Sequence, residues 1–309
     1  MSSFTYDAAG LIVQMVEADS ATSLPATRRS YTYTAAGVQT GTVAEKWTGS
    51  VWQNDSRALI TNNAAGYLTE YLGQVWENGA WKNDMRISLE YDARNHFVLY
   101  LSQRWVNNAW EATNGGRATV TYSAAGAILE ETEDLLDAPT NQFYPYRRVQ
   151  YTYPTPASMQ HSVRVEQGWR NGAYYNSQRT SNIVRDAQGR ETYSEAESWE
   201  NNAWQLSSRF VTTYTNDGYQ GLSQNWVNNA WVNVSRYTQL FGEGQDLGFT
   251  AELWTNNAWS ITDGSRTFRR FNAANDLVSQ VRQNYDPNGK VYVNSMKTTF
   301  GDYQSITLG

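Results

Sequence analysis

Apolar and polar residues alternate through stretches of about ten residues, separated by short polar turns, from Phe4 almost to the end of the chain. A period of two is the mark of β-strands, whose successive side chains point to opposite faces. Two kinds of turn separate the stretches. One lies between tryptophans: WTGSVW from Trp47, WENGAW from Trp76, WVNNAW from Trp105, WENNAW from Trp199, WVNNAW from Trp226 and WTNNAW from Trp254, with WRNGAY from Trp169 as a variant. The other follows tyrosine: YDAAG from Tyr6, YTAAG from Tyr33, YSAAG from Tyr122 and YTNDG from Tyr214. Weaker copies stand at Asn62–Gly66, Tyr91–Asn95, Arg185–Gly189 and Phe271–Asn275. Asn-Gly, Asn-Asn and Asp-Gly tolerate the positive φ that tight hairpin turns require.

Adjoining copies of the first tryptophan stand 27 to 30 residues apart, and the gap of 64 between Trp105 and Trp169 has room for one degenerate unit plus an insertion. So short and regular a period signals a repeat architecture. Each unit of about 29 residues reads strand, Trp-type turn, strand, Tyr-type turn. With degenerate Trp-type turns near Ala21–Pro25, Leu135–Asn141 and Tyr285–Gly289, and Tyr-type turns near Phe271 and Phe300, the count reaches 22 strands. The expected fold is all-β: tandem antiparallel β-hairpin repeats forming one meander of about 20–22 strands without helix. It is expected as a single domain over 1–309, with an irregular insertion around 134–160. A flat sheet of this width would accumulate twist and expose its edges, so the meander is expected to be closed or coiled into a flattened barrel or shell. The phase of the chain ends would place Ser3–Tyr6 beside Gln304–Leu308.

Strict period-2 counting through the unit of Trp76 groups Leu68, Glu70, Leu72, Gln74, Trp76, Trp81, Asn83, Met85, Ile87 and Leu89 on one face. It leaves Tyr67, Tyr71, Gly73, Lys82, Asp84 and Arg86 on the other. Two residues before the first ring stands Glu45, Gln74, Gln103, Gln167, Glu197, Gln224 or Glu252. Five to seven after the second ring comes Arg57, Arg86, Arg117, Arg179, Arg209, Arg236 or Arg266. These arginines are expected to reach an acidic or aromatic neighbour across the ladder, such as Tyr71 for Arg86.

Composition sharpens this. Thirteen Trp and 21 Tyr against nine Phe give most large rings a polar handle, suited to half-wet positions. A net charge of −6 without a dense basic cluster argues against nucleic acid and anionic membrane partners. Cysteine is absent, so there is no disulfide framework or thiol chemistry. No apolar run approaches the length of a transmembrane helix, and Met1 leads into the β pattern with no signal-peptide h-region. An outer-membrane barrel is an alternative architecture, although Arg, Glu or Asn on both strand faces suits a lipid face poorly.

The WxNxxW and YDxxG alternation resembles the tandem repeats of secreted and surface proteins of Bacteroidetes, from about Phe4 onward. Its YDxxG half resembles, more distantly, the YD repeats of RHS and teneurin proteins, whose β-meander coils into a shell. The sequence departs from those repeats in that the Gly-Arg that follows their turn is matched only at Gly189 and Arg190. These resemblances imply an extracellular or cell-surface location and provide no catalytic residues.

Candidate chemistry is sparse. His96 and His161 stand in different units without an Asp or Ser constellation, and are expected to be solvated. Glu130, Glu131, Glu133 and Asp134 could supply paired carboxylates, but read better as a solvated strand and loop. Asp92 and Asp286-Pro287-Asn288-Gly289 read as turn chemistry and not as calcium sites. The expected function is therefore non-catalytic: a secreted or cell-surface β-repeat protein with a structural, adhesive or binding role, without cofactor or metal. In the alternative, the repeated rings and amides form stacking sites for glycans or surface polymers. Its candidate residues are Trp76, Trp81, Gln74, Asn83, Trp105, Trp110, Gln103, Trp199, Trp204, Trp226, Trp231, Gln224, Asn233, Trp254 and Trp259. In the structural reading, the same tryptophans are cross-strand pairs that pin register beside each turn.

Overall fold

The computed structural model describes residues 2–299 apart from 20, 21, 23, 243, 244 and 274–276, and no helix occurs among them. Strands antiparallel to their sequence neighbours form an open hairpin meander. Two compact units make up the chain. Met1–Tyr122, Ile128–Arg148 and Gly168–Tyr174 belong to the first. Ser123–Ala127, Val149–Gln167 and the described residues from Tyr175 onward belong to the second.

The strands, in order, are β1 (Ser2–Tyr6), β2 (Ile12–Ala18), β3 (Pro25–Tyr33), β4 (Gln39–Trp47), β5 (Trp52–Asn62), β6 (Leu68–Glu77) and β7 (Ala80–Tyr91). Then come β8 (Phe97–Val106), β9 (Ala109–Tyr122), β10 (Ile128–Asp137), β11 (Gln142–Thr152), β12 (Val163–Arg170), β13 (Ala173–Arg185) and β14 (Glu191–Glu200). The last are β15 (Ala203–Thr215), β16 (Gly218–Val227), β17 (Ala230–Gly242), β18 (Gln245–Thr255), β19 (Ala258–Phe271), β20 (Leu277–Asp286) and β21 (Val291–Thr299). β1 to β10 pair in sequence order in the first unit, and β13 to β21 in the second.

Of the closed and coiled forms expected, closure is not what is found. The meander is not closed into a barrel. The pairing expected between Ser3–Tyr6 and Gln304–Leu308 lies outside the described residues, as do parts of the turns near Ala21–Pro25, Phe271–Asn275 and Phe300. The expected irregular stretch also shrinks, because β10 and β11 run through most of it and leave the turn at 138–141 and the segment Tyr153–Ser162 without strand.

The Trp-type turns are shorter than the spacing of their rings suggests. Glu77 pairs with Ala80, so the loop is only Asn78 and Gly79, with φ of 52° and 78°. Two consecutive positive φ values define a type I′ turn, whose twist matches that of the flanking strands. Asn107–Asn108, Asn201–Asn202, Asn228–Asn229 and Asn256–Asn257 repeat it, each with φ between 49° and 63°. The Tyr-type turns use an Asx motif: Asp7 Oδ1 accepts hydrogen bonds from the backbone N–H of Ala9 and Leu11, both at 2.9 Å, and Asn63, Asp92 and Asp186 do the same.

Period-2 counting fails at two regular places, one beside each kind of turn. Gly73 faces Met85 but Gln74 faces Asn83, so Asp84 is an extra residue, a β-bulge. Asp55, Thr113, Ser207, Val234, Thr262 and Ser295 are its counterparts in the other regular Trp-type hairpins. Past the bulge each side chain changes face. Arg86 therefore lies opposite Leu72 on the face of Gln74, Trp76 and Trp81, while Met85 and Ile87 join Gly73 and Tyr71 on the other. A second bulge, at Thr69, moves Leu68 off the tryptophan face as well. Bulges increase local right-handed twist.

Little is wholly buried. Ala58, Ala127 and Val149 are the buried hydrophobic residues among those described, so both sheet faces are only partly covered. Turn geometry should then weigh heavily in stability. Replacing Asn228 and Asn229 together by alanine places two Cβ-bearing residues at positive φ without local hydrogen-bonding side chains, and should cost about 1–2 kcal/mol per residue in urea unfolding. Asn229→Gly should be neutral or stabilising; equal losses in both variants would contradict the type I′ assignment.

Candidate functional site

The candidate layer is built on the turn. In a two-residue hairpin the closing pair, Glu77 and Ala80, is hydrogen-bonded, so ladder alternation sets Trp76 and Trp81 at the adjacent non-hydrogen-bonded site where backbones approach most closely. Their rings meet edge to face, with centroids 4.9 Å apart and planes at 69°. The other five Trp pairs have centroids 4.9–5.1 Å apart, and Trp169–Tyr174 lies at 4.8 Å. Every one of these indoles is half-buried.

Arginine joins one hairpin to the next. Arg57 on β5 stands directly across from Gln74 on β6 and donates from Nε to its Oε1 at 2.6 Å. The guanidinium then lies over the ring of Trp81 on β7, 4.7 Å from the centroid. Nine arginines do this: Arg28, Arg57, Arg86, Arg117, Arg148, Arg179, Arg209, Arg236 and Arg266 cover Trp52, Trp81, Trp110, Phe143, Tyr174, Trp204, Trp231, Trp259 and Tyr292, at 3.7–5.0 Å. Each rung spans three strands, which couples neighbouring hairpins. The expected contact of Arg86 with Tyr71 is corrected: the bulge at Asp84 turns Arg86 to the opposite face, where it bonds Gln103 and covers Trp110.

The polar member of the rung bonds as its valences allow, whatever residue faces it, since Glu45 faces Asn54 and Gln103 faces Ala112. Glu197 and Glu252 give both oxygens to Arg179 and Arg236, and face apolar Leu206 and Ile261 across the hairpin. Gln74 and Gln224 have one oxygen for the arginine and an amide left over, which donates to Asn83 and Asn233 at 2.7 Å. Gln167–Asn176 and Gln283–Asn294 make the same bond. The hydrogen bond to Glu197 raises the pKa of Arg179, and in return Arg179 holds the Glu197 carboxyl below its ordinary value of 4.5. Arg28 and Arg236 are raised in the same way by Glu45 and Glu252.

The structure thus brings the candidate rings, glutamines and asparagines together, with Gln74, Asn83, Gln224 and Asn233 engaged inside the protein. Sequence reading missed Arg28 and Arg148, and missed Phe143 and Tyr292 as second rings. The signal existed: Arg28 precedes Arg57 by 29 residues, one period. Two rungs are displaced. Arg117 and Arg266 come seven residues after their rings, and Gly115 and Gly264 occupy the fifth position, where most other copies carry the arginine. A Cβ on Gly264 would stand 2.6 Å from the Tyr292 hydroxyl, so glycine makes room for that ring.

A second set of contacts runs along the Tyr-type turns. Tyr122 donates its hydroxyl to Asp92 Oδ2 at 2.5 Å beneath Arg94, 4.4 Å from the ring centroid; Arg190 covers Tyr214 at 4.0 Å. Burial, then the Asp92 bond, pushes the Tyr122 pKa up to about 12, and the same bond lowers that of Asp92. The histidines are half-buried and not solvated: His96 Nε2 lies 3.4 Å from Glu131 Oε1, and the His161 ring packs on Tyr151 at 5.3 Å. Burial pushes the His161 pKa down. Glu133 and Asp134 pair with Arg147 and Arg117, both at 2.8 Å.

No family model matches the chain, and no curated protein matches it at a significant level. Likeness to solved structures is faint. A Bacteroides fragilis protein of unknown function is 12% identical over 60% of this chain and 91% of its own, with a TM-score of 0.18. A porin-like protein from Bacteroides uniformis is 10% identical over 87% of this chain and 91% of its own, with a TM-score of 0.28. A chain of the TcdB2-TccC3-TEV structure is 12% identical over 92% of this chain but 16% of its own, also at 0.28. Scores this low carry no functional argument.

The rung should be measurable as a coupling. Arg209→Ala and Trp231→Ala should each destabilise, and a double-mutant cycle should return about 0.5–2 kcal/mol of interaction between them; strict additivity would refute the contact. Acid should act selectively on carboxylate rungs. Because the folded-state pKa of Glu197 is lowered, its contribution is complete above the unfolded-state value and is lost as pH falls through the folded one. Glu197→Gln should flatten the fall of stability with acid, measured by urea titration across pH, whereas Gln224→Ala should leave its slope unchanged.

Proposed function

We propose that this chain is a non-catalytic β-repeat scaffold of the cell exterior, serving a structural or adhesive role, with the Trp layer as its internal fastening. One observation carries the reading: the ninefold rung engages the arginines, ring faces and many of the amides that the sequence offers for binding. The carboxylates best placed for acid–base chemistry support the non-catalytic assignment, since Glu131, Glu133 and Asp134 are engaged by His96, Arg147 and Arg117. The likeness of the WxNxxW and YDxxG motifs to secreted and surface repeats of Bacteroidetes, and more distantly to YD repeats, supports the location. An outer-membrane barrel is disfavoured because Arg, Glu or Asn stand on both strand faces, which suits a lipid face poorly.

The scaffold reading and the multivalent glycan reading of the Trp layer differ in one variant. Trp204→Ala with Trp231→Ala should lower Tm by several degrees, since about 1 kcal/mol moves Tm by a few degrees in a chain of this size. It should leave retention on immobilised polysaccharides as in the wild type. Loss of polysaccharide retention at unchanged Tm would overturn the scaffold reading in favour of a Trp-layer lectin.

A further inference from the structure

In a repeat protein, departures from the repeat are informative, and three converge on one place. At eight of the nine rungs the residue before the arginine carries a side chain, as at Ser56, Met85 and Ser208; at the ninth it is Gly116. Neither backbone nor crowding demands glycine there: its φ is not positive, and a Cβ would meet the Asp134 carbonyl oxygen at 3.6 Å and Leu135 Cδ2 at 3.8 Å, ordinary contacts. Glycine inside a strand weakens it, and often marks close approach of a ligand or another backbone. The other departures are Glu131 and Glu133, three and one residues before the polar rung member. No other rung has an acid at the first position, and one has it at the second, Glu166.

Strand pairing puts Gly116 between Tyr100 and Leu135 on the face opposite the tryptophans. There, with Phe97, Glu131 and Glu133, they line a hollow of about 520 Å³. Small-molecule sites run from about 300 to 1,000 Å³. Phe97 is 44% exposed and forms an open aromatic wall. Each carboxylate is held at one oxygen, Glu131 by His96 and Glu133 by Arg147, and each retains lone pairs for incoming donors. Arg117 and Arg147 balance Asp134 and Glu133, so the hollow does not call for a strongly charged guest. An aromatic wall, an unfilled floor and two fixed acceptors complement a sugar ring, which has an apolar C–H face and a rim of hydroxyl donors.

We infer that this hollow is a single saccharide-binding site, separate from the Trp layer and independent of the scaffold reading. The test is calorimetric titration with cellobiose, chitobiose, lactose and mannobiose at up to about 10 mM, well above a millimolar Kd. At least one should bind with a stoichiometry of one. Gly116→Leu, which fills the floor, should raise its Kd at least about tenfold with circular dichroism unchanged. Phe97→Ala, at an exposed position, should do the same and keeps the test decisive if Gly116→Leu does not fold. The Trp204→Ala, Trp231→Ala variant should bind as the wild type does. Absence of binding by all four sugars, a stoichiometry well above one, or unchanged affinity in either folded variant overturns the site.

Discussion

An arginine laid across the second aromatic ring of the following hairpin is the contact on which this protein depends. In most proteins of this length a buried apolar core would carry stability, but here only three hydrophobic residues are buried among those described. Cation–π contacts contribute about 0.5–2 kcal/mol each according to desolvation, and a charge-assisted hydrogen bond from the same guanidinium adds to this. The rungs lie on half-buried ground, so each is modest. Repeated within each unit, they fasten hairpin to neighbouring hairpin, and stability becomes close to a sum of hairpin terms and nearest-neighbour terms.

That fastening works only because of a backbone irregularity. Without the extra residue at Asp84, Arg86 would point away from Trp110, and the β5–β6–β7 and β7–β8–β9 rungs could not share a face. The bulge also explains why Gln74 and Asn83 meet while Gly73 and Met85 meet on the reverse side. The displaced rungs at Arg117 and Arg266 follow the same rule, since each still stands directly across from its acceptor position, Asp134 or Gln283. Glycines at 115 and 264 occupy the vacated positions.

Much of this was legible in the sequence, because a type I′ turn and an Asx turn are local and are written in a few residues. The hairpin order, the absence of helix among the described residues, the grouping of rings with Gln or Glu, and a structural part for the arginines all follow from such signals. Face assignment beyond Asn83 was not legible, since a bulge at Asp84, Thr113 or Val234 has no common residue type and shows only in pairing. Degenerate rungs hid for a different reason: Phe143 and Tyr292 supply the same ring surface as Trp81 under another letter, and Asp134 replaces Gln with a shorter acid. The hollow beside Gly116 was invisible because it needs three strands at once.

The rung is completed across a junction and not within a hairpin, and this bears on how such a chain can lengthen. A duplicated tract of one period, cut anywhere, brings in one arginine, one acceptor and one ring, and the copies on either side supply what the cut separated. Arg-to-acceptor intervals of 15 at Arg209–Gln224, 16 at Arg236–Glu252, 17 at Arg57–Gln74 and 18 at Arg179–Glu197 locate the slack in the strands and Tyr-type turn between them. Small insertions and deletions there leave the fastening intact. A gene encoding this protein can therefore gain or lose whole periods by unequal exchange between its own repeats, and the product remains internally matched at every new seam.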